Sequence, residues 1–153
     1  MEEKKLEEII KLEDLNEHNW YKICDLSVSA EQKKIFPIPN IYWIGISRYE
    51  EHTELFAIKS QDVYVGLIGG GYDEDGTSGF INPLMIDERY QNQGYALEAI
   101  RLMIKYLTHT LHINKINLGH RKENMIAGKL YKKLGFHIIA EDDVDYFRCL
   151  QIK

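Results

Sequence analysis

The sequence predicts an α+β fold, an α/β sandwich built on a mixed sheet of about seven strands with helices on both faces. Three observations predict it. The apolar period changes from helical to alternating and back again along the chain. Short turns in the middle join strands as hairpins, which makes those neighbours antiparallel. Later strands alternate with helices, so the chain must cross over and the sheet must be mixed.

Residues 8–12 read as the first strand. Over residues 18–28, Trp20, Ile23, Cys24 and Val28 recur at helical spacing, with Asn16 as the candidate cap. The prolines in residues 35–40 interrupt any helix. Residues 40–49 form the next helix, with Ile41, Ile44 and Ile46 on its apolar side. Residues 55–58 and 63–72 are strands joined at Ser60-Gln61-Asp62, and residues 73–79 make a hairpin loop before a strand over residues 80–86. A helix runs from about residue 94 to residue 109, with Ala96, Leu97, Ile100, Met103, Ile104 and Leu107 on one face. A short strand (115–118) precedes a helix over residues 124–134, which Gly135 ends. Residues 136–140 and 146–152 complete the sheet.

With 153 residues, a single domain spanning residues 1–153 is expected. Apolar residues at 44% and charged residues at 28% are ordinary for a soluble globular chain. No apolar run approaches the roughly eighteen residues of a membrane span. The opening Met1-Glu2-Glu3-Lys4-Lys5 lacks the layout of a signal peptide, so a cytoplasmic location is expected, with Cys24 and Cys149 as reduced thiols. The net charge of −5 and the lack of a dense basic cluster argue against nucleic acid as a partner. An acidic surface favours cationic partners only weakly, because salt screens attraction within about 8 Å. His109 and His112 lie at a helix end without further ligands, so no metal is expected. Nor is the acidic run from Asp73 a calcium loop, since Leu84 stands where a bidentate Glu is needed. Sheet edges could support a homodimer.

The junction at Tyr90-Gln91-Asn92-Gln93-Gly94-Tyr95-Ala96 follows the apolar triplet Leu84-Met85-Ile86 by a few residues. A helix start leaves N–H groups without intrahelical partners at a partly positive end, which suits a phosphate. Gly94 and Ala96 leave room for close approach, and Gln91 can hydrogen-bond phosphate oxygens. Equally, Gly94 could only shape a loop and Ala96 only pack. The stretch is neither a P-loop nor a dinucleotide fingerprint. Further on, Tyr131 shares a helical face with Ala127 and Leu134, and Asn124 stands where an N-cap is needed. Alone, these read as a core aromatic and a cap.

Together the two segments resemble the GNAT superfamily of acyl-CoA-dependent N-acyltransferases. Leu84-Met85-Ile86 followed by Gln91-x-x-Gly94-x-Ala96 resembles its pyrophosphate loop, and Asn124-x-x-Ala127-x-x-Leu130-Tyr131-x-x-Leu134-Gly135-Phe136 its second motif. The resemblance implies a mostly antiparallel sheet splayed in the middle, between the strands at 80–86 and 115–118, with acetyl-CoA as cosubstrate in the split. It implies that Leu84, Met85 and Ile86 border the pantetheine arm, with main-chain groups of Leu84 and Ile86 pairing to it. Gln91 and the amides of Asn92, Gln93, Gly94, Tyr95 and Ala96 would hold the pyrophosphate, Asn124 would bind pantetheine, and Tyr131 would face the thioester sulfur as general acid. The amine would attack the acetyl carbonyl directly, with no covalent enzyme adduct.

The base is less legible. Relatives often carry a carboxylate near position 82, where this chain has Asn82. His120 is a conceivable base, but an exposed strand-end histidine is the simpler expectation, and a water relay is the first choice. Leu26-x-Val28-x-x-Glu31-Gln32, with Phe36 one place late, resembles bacterial spermine/spermidine N-acetyltransferases. That implies a polyamine acceptor, with Glu31 and Asn82 near it. Asp73-Glu74-Asp75 could add carboxylates or be a solvated turn. The alternatives are another amine (a drug, an amino acid, a protein N-terminus or a lysine) and a catalytically silent acyl-CoA-binding module.

Overall fold

A computed structural model of the chain describes residues 9–153. The elements run β1 (Ile10–Asp14), α1 (Trp20–Cys24), α2 (Asn40–Tyr49), β2 (Thr53–Ser60), β3 (Val63–Tyr72), β4 (Gly79–Ile86), α3 (Tyr95–His109), β5 (Lys115–Arg121), α4 (Met125–Lys133), β6 (His137–Glu141) and β7 (Asp145–Gln151). Short 3-10 turns stand at Gln32–Lys34 and Glu88–Tyr90. The seven strands form one sheet in the order β1-β2-β3-β4-β5-β7-β6. Every pairing is antiparallel except β4 with β5. The expected mixed, mostly antiparallel sheet is therefore present. Of the expected first strand, Glu8 lies outside the described residues.

The β4–β5 ladder holds only two pairs, Gly79 with Ile116 and Phe80 with Asn117. Beyond them, β4 stays on β3 as far as Ile86, and β5 stays on β7 as far as Arg121. The sheet thus splits along its middle. Strand alternation sends Phe56 and Ile58 to one face and Leu55 and Ala57 to the other. On the first face α3 buries Ala99, Ile100, Met103 and Leu107. On the second, Ile23, Leu26 and Val28 cover Leu55, Ala57, Leu67 and Met85.

Two expectations on this second face change. α1 is five residues long and does not reach Val28. Leu26 and Val28 are buried from an extended segment, whose Ser27 N–H donates to Asp87 Oδ2 (3.0 Å) and whose Ser27 carbonyl accepts from Glu88 N (3.0 Å). The apolar spacing therefore spans a helix and a strand-like stretch. The cap is also different. Asn19 precedes α1, and Asn16 instead accepts from His18 N at 2.8 Å. In α2 the bounds are as expected, but Ile41 is 51% exposed and Asn40 is buried, donating to Ile23 O at 2.9 Å.

β3 crosses β4 very closely at Gly70, where a Cβ would overlap the Phe80 carbonyl and stand 2.8 Å from Met103 Cε. Gly70→Ala is expected to destabilise the fold by about 1–3 kcal/mol through overpacking against backbone. Calorimetry reads this as a Tm lowered by several degrees, and an unchanged Tm would show that the β3–β4 seam yields freely. Among the described residues no helix is long and apolar enough to cross a membrane.

Candidate active site

The site begins at the end of β4. Asp87 N donates to Val65 O at 2.8 Å, and the Met85 carbonyl faces β3 at Gly66. Antiparallel alternation therefore turns the main-chain groups of Leu84 and Ile86 toward the split. Those of Met85 are spent on β3, and its side chain is buried in the second core, so Met85 offers the split no polar group. Met85 nevertheless lines the same cavity as Leu84 and Ile86.

After β4 the chain turns through Asn92 at φ 62° and Gly94 at φ 84° into α3. A glycine takes this left-handed conformation without Cβ strain. The start of α3 then borders a cavity of about 460 Å³, with Gly94, Tyr95 and Ala96 on one side and Asn124, Ala127 and Tyr131 on the other. Asn92 also borders it. Gln93 is exposed on the turn and is not on the cavity wall. Gln91 borders the cavity, but its side-chain amide is already committed. Nε2 donates to Ile86 O (2.8 Å) and Gln32 Oε1 (2.8 Å), and Oε1 accepts from Gln32 Nε2 (2.9 Å). The expected contact of this amide with phosphate is thus replaced by a tie within the protein, because the Ile86 carbonyl at the open edge needs a donor.

α4 supplies the opposite wall. Asn124 Oδ1 accepts from Ala127 N at 3.2 Å, which caps the helix and leaves the amide nitrogen for the cavity. Gly135 at φ 95° closes the other end, with Phe136 N donating to Tyr131 O at 3.0 Å. This closure seats the buried Phe136 ring 5.9 Å from that of Tyr131. Tyr131 is 7% exposed, and burial alone pushes its hydroxyl up to about 12. Among the described residues the hydroxyl has no hydrogen-bond partner.

A second cavity, of about 540 Å³, lies against the same wall. Tyr131, Asn124, Ala127, Leu84, Ile35 and Phe36 border both. On its far side stand Asp73, Asn82, Asp145 and His120. Asp73 Oδ2 accepts from Ser78 Oγ (3.1 Å) and Asn117 Nδ2 (3.2 Å). Glu74 and Asp75 do not reach this cavity. Asp75 instead accepts from the N–H groups of Thr77 and Ser78, which lower its carboxyl to about 2 and shape the turn. Glu31 is exposed and lies on neither wall, whereas Gln32, Ile35 and Phe36 nearby line the α3 cavity.

His120 is half-buried rather than exposed. Its Nδ1 lies 3.0 Å from Arg121 O, an acceptor, so Nδ1 carries the proton. Nε2 then spends its lone pair on Arg148 Nε at 2.9 Å. In this arrangement the guanidinium engages the Nε2 lone pair, which is not left free toward the cavity. The buried Arg148 also donates to Phe136 O at 3.0 Å, bracing the turn behind Tyr131. Sequence reasoning missed Arg148 and Asn117. Asn117 had one local signal, a polar residue between the apolar Ile116 and Leu118. Arg148 had none.

A profile of the acetyltransferase (GNAT) family matches residues 10–136. The chain belongs to the GNAT acetyltransferase family. This GNAT chain is 32% identical over 74 residues to a spermine/spermidine N(1)-acetyltransferase of Bacillus subtilis (strain 168), covering 47% of this chain and 49% of the relative. A probable spermine N(1)-acetyltransferase of Bacillus subtilis subsp. natto is 30% identical over 74 residues, with the same coverage. The chain spans about half the length of the curated relatives it matches. Among solved structures, the Vibrio cholerae spermidine N-acetyltransferase with CoA and spermine aligns at a TM-score of 0.78 and 16% identity, over 94% of this chain and 96% of that one. Campylobacter jejuni N-acetyltransferase PseH in complex with acetyl coenzyme A aligns at 0.72 and 20% identity, over 95% and 100%. At such identities the likeness is one of fold, and this GNAT chain has the family's split sheet.

Proposed function

We propose that this GNAT chain transfers an acetyl group from acetyl-CoA to a primary amine, with a polyamine such as spermidine or spermine as acceptor. One observation carries the reading: Tyr131 and Asn124 stand on the wall shared by two cavities, one of which is bordered by the start of α3. The residues fit the cosubstrate. Unpaired amides and a left-handed Gly94 suit a pyrophosphate, and the open edge of Leu84 and Ile86 suits an extended amide-bearing arm. By the strand alternation Ile86 turns its N–H toward the split, while its carbonyl is held by Gln91.

Acetyl-CoA supplies the acetyl thioester when bound. The chain's own groups then orient the reactants and manage protons. A primary amine with an ordinary pKa near 10.4 loses its proton at pH 7 at a cost of about 4.6 kcal/mol. With His120 tied to Arg148, a relay of water through the acceptor cavity takes this proton. Tyr131 holds its own proton at neutral pH and donates it toward the sulfur position.

The acceptor cavity supports a cation. Asp73 is braced at its carboxylate by Ser78 and Asn117, and Asp145 borders the same space. A polycation with fixed charges is matched by carboxylates held apart. The names of the Bacillus relatives point the same way. The test is CoA release assayed over a panel of amines. Spermidine and spermine should turn over, and activity on peptides or aminoglycosides with none on polyamines would redirect the substrate assignment. Asp73→Asn is expected to raise the KM for spermidine about 10-fold, with kcat changed much less, because a charge-assisted contact contributes roughly 1.5–3 kcal/mol. An unchanged KM would take Asp73 out of the acceptor site.

A further inference from the structure

The segment between α1 and α2 walls both cavities, yet its regular structure is a single 3-10 turn of three residues. Few local bonds hold such a stretch, so its position depends on ties to elements distant in sequence. Its start is tied to the loop after β4 through Ser27. Its middle is tied through Gln32, which faces two ways. The Gln32 main-chain carbonyl accepts from Ile35 N (2.9 Å) and Phe36 N (2.8 Å), the two residues of this segment that border both cavities. The Gln32 side chain forms the reciprocal amide pair with Gln91, three residues before Gly94.

The donor–acceptor order of that pair is fixed at both ends. Ile86 O can only accept, so Gln91 must present its nitrogen there, at 2.8 Å. Ser29 N can only donate, so Gln32 must present Oε1, at 3.2 Å. Flipping either amide breaks its bond to the main chain as well as the pair. Both Gln91 N–H groups are used, and the Gln32 oxygen accepts twice. A satisfied network of this kind holds one arrangement.

We infer that Gln32 and Gln91 are positioning residues which join the cosubstrate loop to the acceptor wall, so that ordering the loop seats Ile35 and Phe36. The inference rests on the reading of the α3 cavity as the acetyl-CoA site. Neither residue touches the reacting atoms. The pair is neutral, so the coupling is insensitive to salt and to pH over the range in which the enzyme is folded. By reciprocity, acceptor bound against Ile35 and Phe36 tightens the binding of cosubstrate by the same factor.

The test uses the full chain, CoA, and the variants Gln32→Met and Gln91→Met. Calorimetry first measures CoA affinity. Hydrogen exchange then follows the peptide that contains Ile35 and Phe36, with and without saturating CoA. In the unaltered protein, CoA should slow exchange there about 5-fold or more. In Gln32→Met that protection should vanish while CoA still binds, and the double variant should behave like either single one. Protection retained in Gln32→Met, or absent from the unaltered protein with CoA bound, overturns the inference. A loss that comes with a lowered Tm and exchange faster across the whole chain would mark a folding defect and also count against it. Failure of CoA to bind the unaltered protein is a separate result, which overturns the cosubstrate reading itself.

Discussion

Phenylalanine in place of Tyr131 will lower kcat about 100-fold or more, without a comparable change in the affinity for CoA. On the proposed reading of Tyr131 as general acid, such a group contributes about 10²–10⁴ to the rate. The ring stays, so the packing against Phe136 and the wall shared by the two cavities stay with it. The removed oxygen has no hydrogen-bond partner among the described residues, so no protein group is left unsatisfied. Burial pushes Tyr131 up to about 12. A thiol sits near 8.5, and the gap corresponds to about 5 kcal/mol. With Tyr131 as the proposed donor, proton transfer to the leaving sulfur would have to accompany or follow cleavage of the bond. The pH profile provides a second check. The rate should rise as the amine loses its proton, and no falling limb should come from Tyr131 until its hydroxyl ionises near 12. The Phe variant should keep the shape of the rising limb at a lower level. Full activity in that variant would assign the proton to another group.

Gly94→Val should weaken CoA binding about 100-fold, measured by calorimetry. Two effects act together. A side chain at φ 84° in the left-handed region costs roughly 1–2 kcal/mol, more for a branched one, which will lower Tm by a few degrees. The added carbons also stand at the start of α3, in the space an oxyanion needs for close approach. Losing two hydrogen bonds to a charged group, at roughly 1.5 kcal/mol or more each, gives the stated factor. Gln93→Val, on the exposed turn outside the cavity, is the control and should bind CoA normally. If Gly94→Val bound CoA as well as the unaltered chain, the phosphate would have to lie elsewhere.

Local patterns explain why most of the scaffold was legible. α3 declares part of its buried face by its own spacing: Ile100, Met103 and Leu107 are buried as expected, but Ala96, Leu97 and Ile104 are half-buried and Glu98 and Ala99 are buried instead, while the start of α2 follows from the prolines before it. The residues bordering the α3 cavity follow from a strand–loop–helix junction contained in one short stretch. Where reading failed, the partner was distant. Gln91 looked free for phosphate because Gln32, 59 residues away, was not visible from its neighbourhood. His120 looked exposed because Arg148, 28 residues on, supplies its partner. Residues 26–28 were read as helix because Val28 stands four places after Cys24, whereas an extended segment docked on Asp87 and Glu88 buries Leu26 and Val28. Glu31 was placed near the substrate by its motif, whereas it is exposed and borders neither cavity.

The two-pair seam between β4 and β5 has a thermodynamic side as well. Beyond Phe80, an interior edge of the sheet goes without the neighbour that would normally complete it, and that deficit weakens the folded form. Any slender guest with amide groups that lies along this edge makes up the shortfall. On the proposed reading of this guest as acetyl-CoA, resistance to heat and proteolysis would rise with the logarithm of its concentration above Kd, so the protein's persistence in a cell would follow the supply of its reactant.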